Sequence, residues 1–183
     1  MKKEHEVKIT PLRIEVDRHR LSVPFDGIEL LKEVYHSQIG DYPKFYKMDM
    51  LCQLGFIASE LLLIAEGKDR FIECEDRAVL LFGKHSSICA DKDYLHTISD
   101  EKNFFPSPST FVYTLPNIVA GEIALRNKYH GETSYFAVDN PALIEEYVEV
   151  FMQTSPHIQS VICGWLDAVD RTDFEAQMWL IRK

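Results

Sequence analysis

The chain has 183 residues, 46% of them apolar and 27% charged, the profile of an ordinary globular protein in which one domain buries about 70% of its extended surface. The formal net charge of −9 excludes general affinity for nucleic acid, which needs a basic face to displace counterions. No apolar run approaches the roughly 20 residues that span a bilayer, and Met1-Lys-Lys-Glu-His-Glu6 lacks the apolar stretch of a secretion signal, so neither membrane insertion nor export is expected.

Four cysteines, Cys52, Cys74, Cys89 and Cys163, are scattered without paired spacing. They read as reduced thiols of a cytoplasmic protein. In chain order, Val7 to Val16 alternates apolar and polar residues, which predicts one strand with Pro11 at a bulge or on the sheet edge. Ile28, Leu31, Val34 and Tyr35 recur at helical spacing and predict a short helix over 27–35. From Met48 to Ala65 the apolar residues are so frequent that this helix must be largely buried, and Gly67 is placed to end it. Ala78 to Gly83 is a continuous apolar run of the kind seen in a strand covered on both faces. Lys84 to Phe104 is polar and mixed, with one helical turn expected around Tyr94 to Ile98, and Pro106 and Pro108 are expected to break regular structure.

Leu115 to Lys128 reads as a helix with Pro116 in its first turn. Ala120, Gly121 and Ala124 give it a small-residue surface that lets another backbone come close. Thr133 to Val138 is the next strand, Pro141 to Met152 the next helix, and Ile158 to Val169 a further strand joined by a hairpin to Phe174 to Ile181. This alternation predicts a single layered α/β domain over 1–183, with right-handed crossovers and one antiparallel strand at the sheet edge.

Pro106-Ser-Pro108, the Leu115-Pro-Asn117-Ile-Val-Ala-Gly121-Glu-Ile-Ala124 helix, the turn at Gly131 and the strand after it together resemble the β-ketoacyl-acyl-carrier-protein synthase family. Phe45-Tyr-Lys47-Met-Asp49-Met-Leu51 resembles that family's early segment, and the likeness extends over most of the chain after Pro43. The resemblance implies a thiolase-like half-domain, a layered mixed five-stranded sheet with flanking helices, corresponding to the N-terminal of two similar halves. It further implies that the second half is missing, and with it the two histidines, or histidine and asparagine, that it contributes.

The family's nucleophilic cysteine stands where the strand after the Gly131-like turn meets the next helix. Counting from Gly131 places Asn140 there, or Asp139 with a slip of one residue, and neither side chain forms a thioester. The following helix carries Leu143, Ile144, Tyr147, Val148 and Phe151 on one face and Glu145, Glu146, Glu149 and Gln153 on the other, so one side is expected to meet water. Asn140 reads first as a helix cap; its functional reading is a degenerate acyl site, as in the non-catalytic subunits of heterodimeric ketosynthases. Cys163, in the apolar Val161-Ile-Cys-Gly-Trp165 run, reads as a core side chain and only secondarily as a nucleophile. His85 and Cys89 have the spacing of a metal pair but no second pair to complete it, so a solvated loop is the expectation. His130 and His157 read as turn residues.

The implied function is that of a non-condensing, ketosynthase-like accessory or partner protein in fatty acid or polyketide-type chain synthesis, with no cofactor and no metal. Its implied partners are an acyl carrier protein, a complete ketosynthase subunit, or a second copy of itself. The alternatives are an active 3-oxoacyl synthase or acyltransferase with an unusual or shared site, using Cys163 or Cys89, and an acyl-ligand binding module without catalysis.

Overall fold

A computed structural model describes all residues, Met1–Lys183. Seven strands, β1 (Lys2–Thr10), β2 (Arg13–Val16), β3 (His19–Arg20), β4 (Arg77–Gly83), β5 (Thr133–Ala137), β6 (Ser160–Ala168) and β7 (Phe174–Arg182), form one sheet in the order β3-β2-β1-β7-β6-β4-β5. β4 pairs in parallel with both β5 and β6, whereas β7 runs antiparallel to its neighbours β6 and β1. The layered mixed sheet agrees with the sequence reading, with two corrections. The five longest strands are extended to seven by the short β2 and β3, and the antiparallel strand β7 lies inside the sheet, because β1 returns from the chain's beginning to pair with its open side.

The first strand is likewise a hairpin rather than a single strand. Pro11 and Leu12 form the turn between β1 and β2, where proline's missing N–H interrupts no ladder. Asp17 and Arg18, with φ of 49° and 68°, then turn β2 into β3, the left-handed geometry that suits a two-residue hairpin loop.

Six helices cover the sheet: α1 (Gly27–Val34), α2 (Met50–Glu66), α3 (Ile88–Ile98), α4 (Pro108–Val112), α5 (Ile118–Asn127) and α6 (Leu143–Thr154). Alternation along the strands sends Val79, Leu81, Ile162 and Leu166 into a core shared with α1, α2 and α5. Leu80, Phe82, Val161 and Cys163 point the other way, to a smaller core under α6. As expected, α2 is enclosed, with every residue from Met50 to Leu63 buried. Asp49 caps its start by accepting from the Leu51 and Cys52 N–H groups, and Gly67 ends it in the left-handed conformation.

The polar 84–104 segment holds a full helix, α3, rather than one turn. It was hard to read because only Cys89 and Ala90 of it are buried, too few to mark a periodic stripe. Pro108 opens α4 instead of breaking the chain, with Ser107 accepting from the Thr110 N–H. The close helix approach comes from a different glycine than expected. A Cβ on Gly55 of α2 would lie 2.5 Å from Val119 Cγ2 of α5, whereas Gly121 has nothing within 4 Å. No helix is long and apolar enough to cross a membrane.

Candidate functional site

The parallel strands β4, β5 and β6 end along one edge of the sheet, where open α/β sheets place their ligands. Gly83, the last residue of β4, is paired with Ala137 of β5. It is a glycine for a steric reason: a Cβ there would stand 2.1 Å from the Tyr135 hydroxyl, 2.2 Å from the Leu166 carbonyl oxygen and 3.2 Å from Asp167 Oδ1. Those three groups converge on the strand ends. The Tyr135 hydroxyl donates to the Leu166 carbonyl at 3.0 Å. Burial, reinforced by the nearby Asp167 carboxylate, raises the pKa of Tyr135, so the phenol keeps its proton.

Asp167 is buried near the end of β6 and is held by three bonds. Its Oδ1 accepts from the backbone N–H groups of Lys84 and His85, at 3.0 and 2.8 Å. Its Oδ2 lies 2.6 Å from His85 Nδ1. An ionised carboxylate only accepts, so Nδ1 carries a proton directed at Asp167, and Nε2 is the ring nitrogen left without a partner. The His85 side chain is 42% exposed and that of Asp167 only 9%, which makes this an anchored imidazole on an open edge. Spacing alone had joined His85 to Cys89, but the partner that holds His85 is Asp167, 82 residues on. Only the β4–β6 pairing brings them together. Cys89 is buried in α3, where desolvation and then the Asp93 carboxylate raise its thiol pKa to about 11. No group of three or more His, Cys, Asp and Glu side chains is arranged to hold a metal ion.

Asn140 stands on the same edge, after β5 and just before α6, and both it and Asp139 are exposed. Asn140 Oδ1 accepts from the Ala142 N–H at 3.0 Å, and its carbonyl accepts from the Leu143 N–H at 3.2 Å, an Asx turn that leads into the helix. Cys163 lies in mid-β6 with no exposure, packed in the core beneath α6. Its pKa is raised by burial to about 12, so it supplies essentially no thiolate at neutral pH. Cys52 is also buried, and desolvation with the adjacent Asp49 carries its pKa well above the ordinary value. His130 and His157 are exposed at the opposite end of the sheet, ahead of β5 and β6 respectively.

On α6, the buried residues are Ile144, Val148 and Met152, while Glu145, Glu146, Glu149 and Gln153 meet solvent. The amphipathic reading holds with the stripe rotated. Leu143 and Tyr147 remain 48% and 43% exposed, and Tyr147 rests its ring against Phe136, with centroids 4.5 Å apart.

No protein-family model matches the chain, and no curated protein matches it in sequence. Solved structures do match in fold. The ishigamide ketosynthase/chain length factor aligns over 99% of this chain and 61% of its own, with a TM-score of 0.71 and 16% identity. The ketosynthase ApeO in complex with its chain length factor ApeC, from Xenorhabdus doucetiae, aligns over 100% of this chain and 79% of its own, at a TM-score of 0.62 and 11% identity. A β-ketoacyl synthase from Burkholderia phymatum aligns over 100% and 60%, at 0.64 and 12%. The chain thus spans about three-fifths of the length of the first and last of these. It has the thiolase-like fold of the ketosynthases, as the Pro106 to Gly131 segment implied.

Proposed function

We propose that the protein is a non-condensing, ketosynthase-like partner in acyl chain assembly, of fatty acid or polyketide type. The observation that carries this reading is the junction of β5 and α6. A condensing site needs a thiolate there to hold the acyl group; on this reading the place falls to Asn140, or to the adjacent Asp139, and the Asn140 side-chain oxygen accepts from the Ala142 N–H. The buried thiols of Cys52, Cys89 and Cys163, with pKa values raised by desolvation, offer no substitute. The fold neighbours support the partner role, since two of them are described as a ketosynthase with a chain length factor and another as a ketosynthase in complex with an acyl-carrier protein.

On this reading the protein works beside a complete ketosynthase subunit that supplies the condensing chemistry, or as a homodimer, and it meets acyl groups carried on an acyl carrier protein. Two measurements test it. Intact-mass analysis after incubation with acylated carrier protein is expected to find no acyl adduct, and co-expression with a ketosynthase from the same genome is expected to give a complex on light scattering. A covalent acyl adduct would refute the non-condensing role. A monomer that retains no ketosynthase would refute the pairing.

A further inference from the structure

We infer that the His85–Asp167 pair makes the carboxyl edge of the sheet a water-activating site that hydrolyses acyl thioesters, with His85 as the general base and Asp167 as its positioning residue. The inference rests on the preceding reading for its substrate class, acyl groups held as thioesters, and on the edge geometry for its chemistry. Burying a carboxylate is costly unless it is fully bonded, and Asp167 spends its three bonds on one loop: two on the Lys84 and His85 N–H groups and the third, at 2.6 Å, on His85 Nδ1. A carboxylate needed only to shape the loop would require only the two backbone bonds. The third fixes the imidazole's tautomer and direction and leaves Nε2 free on a side chain 42% exposed, the arrangement of a general base. The Tyr135 hydroxyl, already donating to the Leu166 carbonyl, does not compete for the ring.

No serine or cysteine side chain bonds to His85, so the nucleophile is water. Nε2 takes one proton from water as its oxygen bonds to the thioester carbonyl carbon. The tetrahedral adduct then breaks its C–S bond, and the imidazolium returns the proton to the departing thiolate. The products are a carboxylic acid and a thiol, with no redox change and no reactant besides water.

The test follows thiol release from acetyl-coenzyme A against pH, for the parent protein, His85→Gln and Asp167→Asn. The parent is expected to release thiol above the buffer rate, with a rate that falls toward acid pH, as for any general base. His85→Gln should lose on the order of 100-fold, the typical weight of a positioned general base, and should lose the pH dependence too. Because Asp167→Asn can disturb the loop, His85→Gln, which leaves both backbone bonds to Asp167 in place, is the deciding variant once circular dichroism shows it folded. Parent release no faster than buffer would overturn the proposal, as would release by folded His85→Gln equal to the parent's. An acyl adduct on the protein by intact mass would overturn the water mechanism. Pairing with a ketosynthase is measured separately, so a parent protein that pairs but does not hydrolyse the thioester sinks this proposal alone.

Discussion

Replacing Gly83 with alanine tests the geometry of the strand ends directly. The new methyl group would stand 2.1 Å from the Tyr135 hydroxyl and 2.2 Å from the Leu166 carbonyl oxygen, distances that no real Cβ contact reaches. The carbonyl belongs to the backbone of β6 and cannot move alone, so the tyrosine must swing out and the strand must shift. Overpacking of this kind costs about 1–3 kcal/mol, and loss of the Tyr135 to Leu166 hydrogen bond with a buried acceptor left over adds about 1–3 kcal/mol. We take about 3 kcal/mol for the sum, which for a chain of this size lowers Tm by about 6–12 °C. Thermal unfolding by circular dichroism, with Gly121→Ala as the control, reads this out. Gly121 has open space around it in mid-helix, so alanine there should stabilise by about 0.5–1 kcal/mol. A Gly83→Ala protein melting within about 2 °C of the parent, about half the smallest effect these costs allow, would refute the convergence of groups described for this edge.

Further outcomes follow from other parts of the structure. Glu66, the last residue of α2, whose side chain is only 4% exposed, bonds Arg77 at 2.8 and 2.7 Å and also meets Arg182. Burial pushes its pKa up, but Arg77 and Arg182 outweigh that and hold it below the usual carboxylate value of 4.5. Since the folded pKa is depressed, its stabilisation is present above pH 4.5 and is lost as pH falls through the folded value; Glu66→Gln should cost about 3–5 kcal/mol at neutral pH and flatten the acid limb of a urea-denaturation series, and an unchanged limb would contradict this. Of the four thiols, only Cys74 is not buried, so a colourimetric thiol reagent should titrate one fast group in the native protein and the remainder only after denaturation; a fast Cys163 adduct found by peptide mapping would contradict the core placement of β6. Asp49→Ala, which removes the cap on the Leu51 and Cys52 N–H groups, should cost about 1–2 kcal/mol in urea unfolding, and a cost near zero would show that the cap is redundant.

Much of this protein was legible from its sequence, because local rules act on neighbouring residues. The apolar run at Ala78 to Gly83 declared a strand covered on both faces, and it is enclosed along its whole length. The density of apolar residues after Met48 declared a buried helix, and Gly67 marked its end. The segment from Pro106 to Gly131 carries the resemblance to the ketosynthase fold, whereas its neighbour α3, with two buried residues, has too faint a pattern to read. What the sequence by itself determined, then, was the order and kind of the main elements and the residue delivered at the β5–α6 junction. Tertiary structure alone decided which side of β7 would be open to β1, which glycine lets α2 meet α5, and which group would hold His85. Each of these depends on strands or helices distant in sequence coming into register. Spacing along the chain offered His85 a partner four residues away in Cys89, whereas the parallel pairing of β4 with β6 gave it Asp167, since hydrogen bonds answer to distance in space and not to distance along the chain.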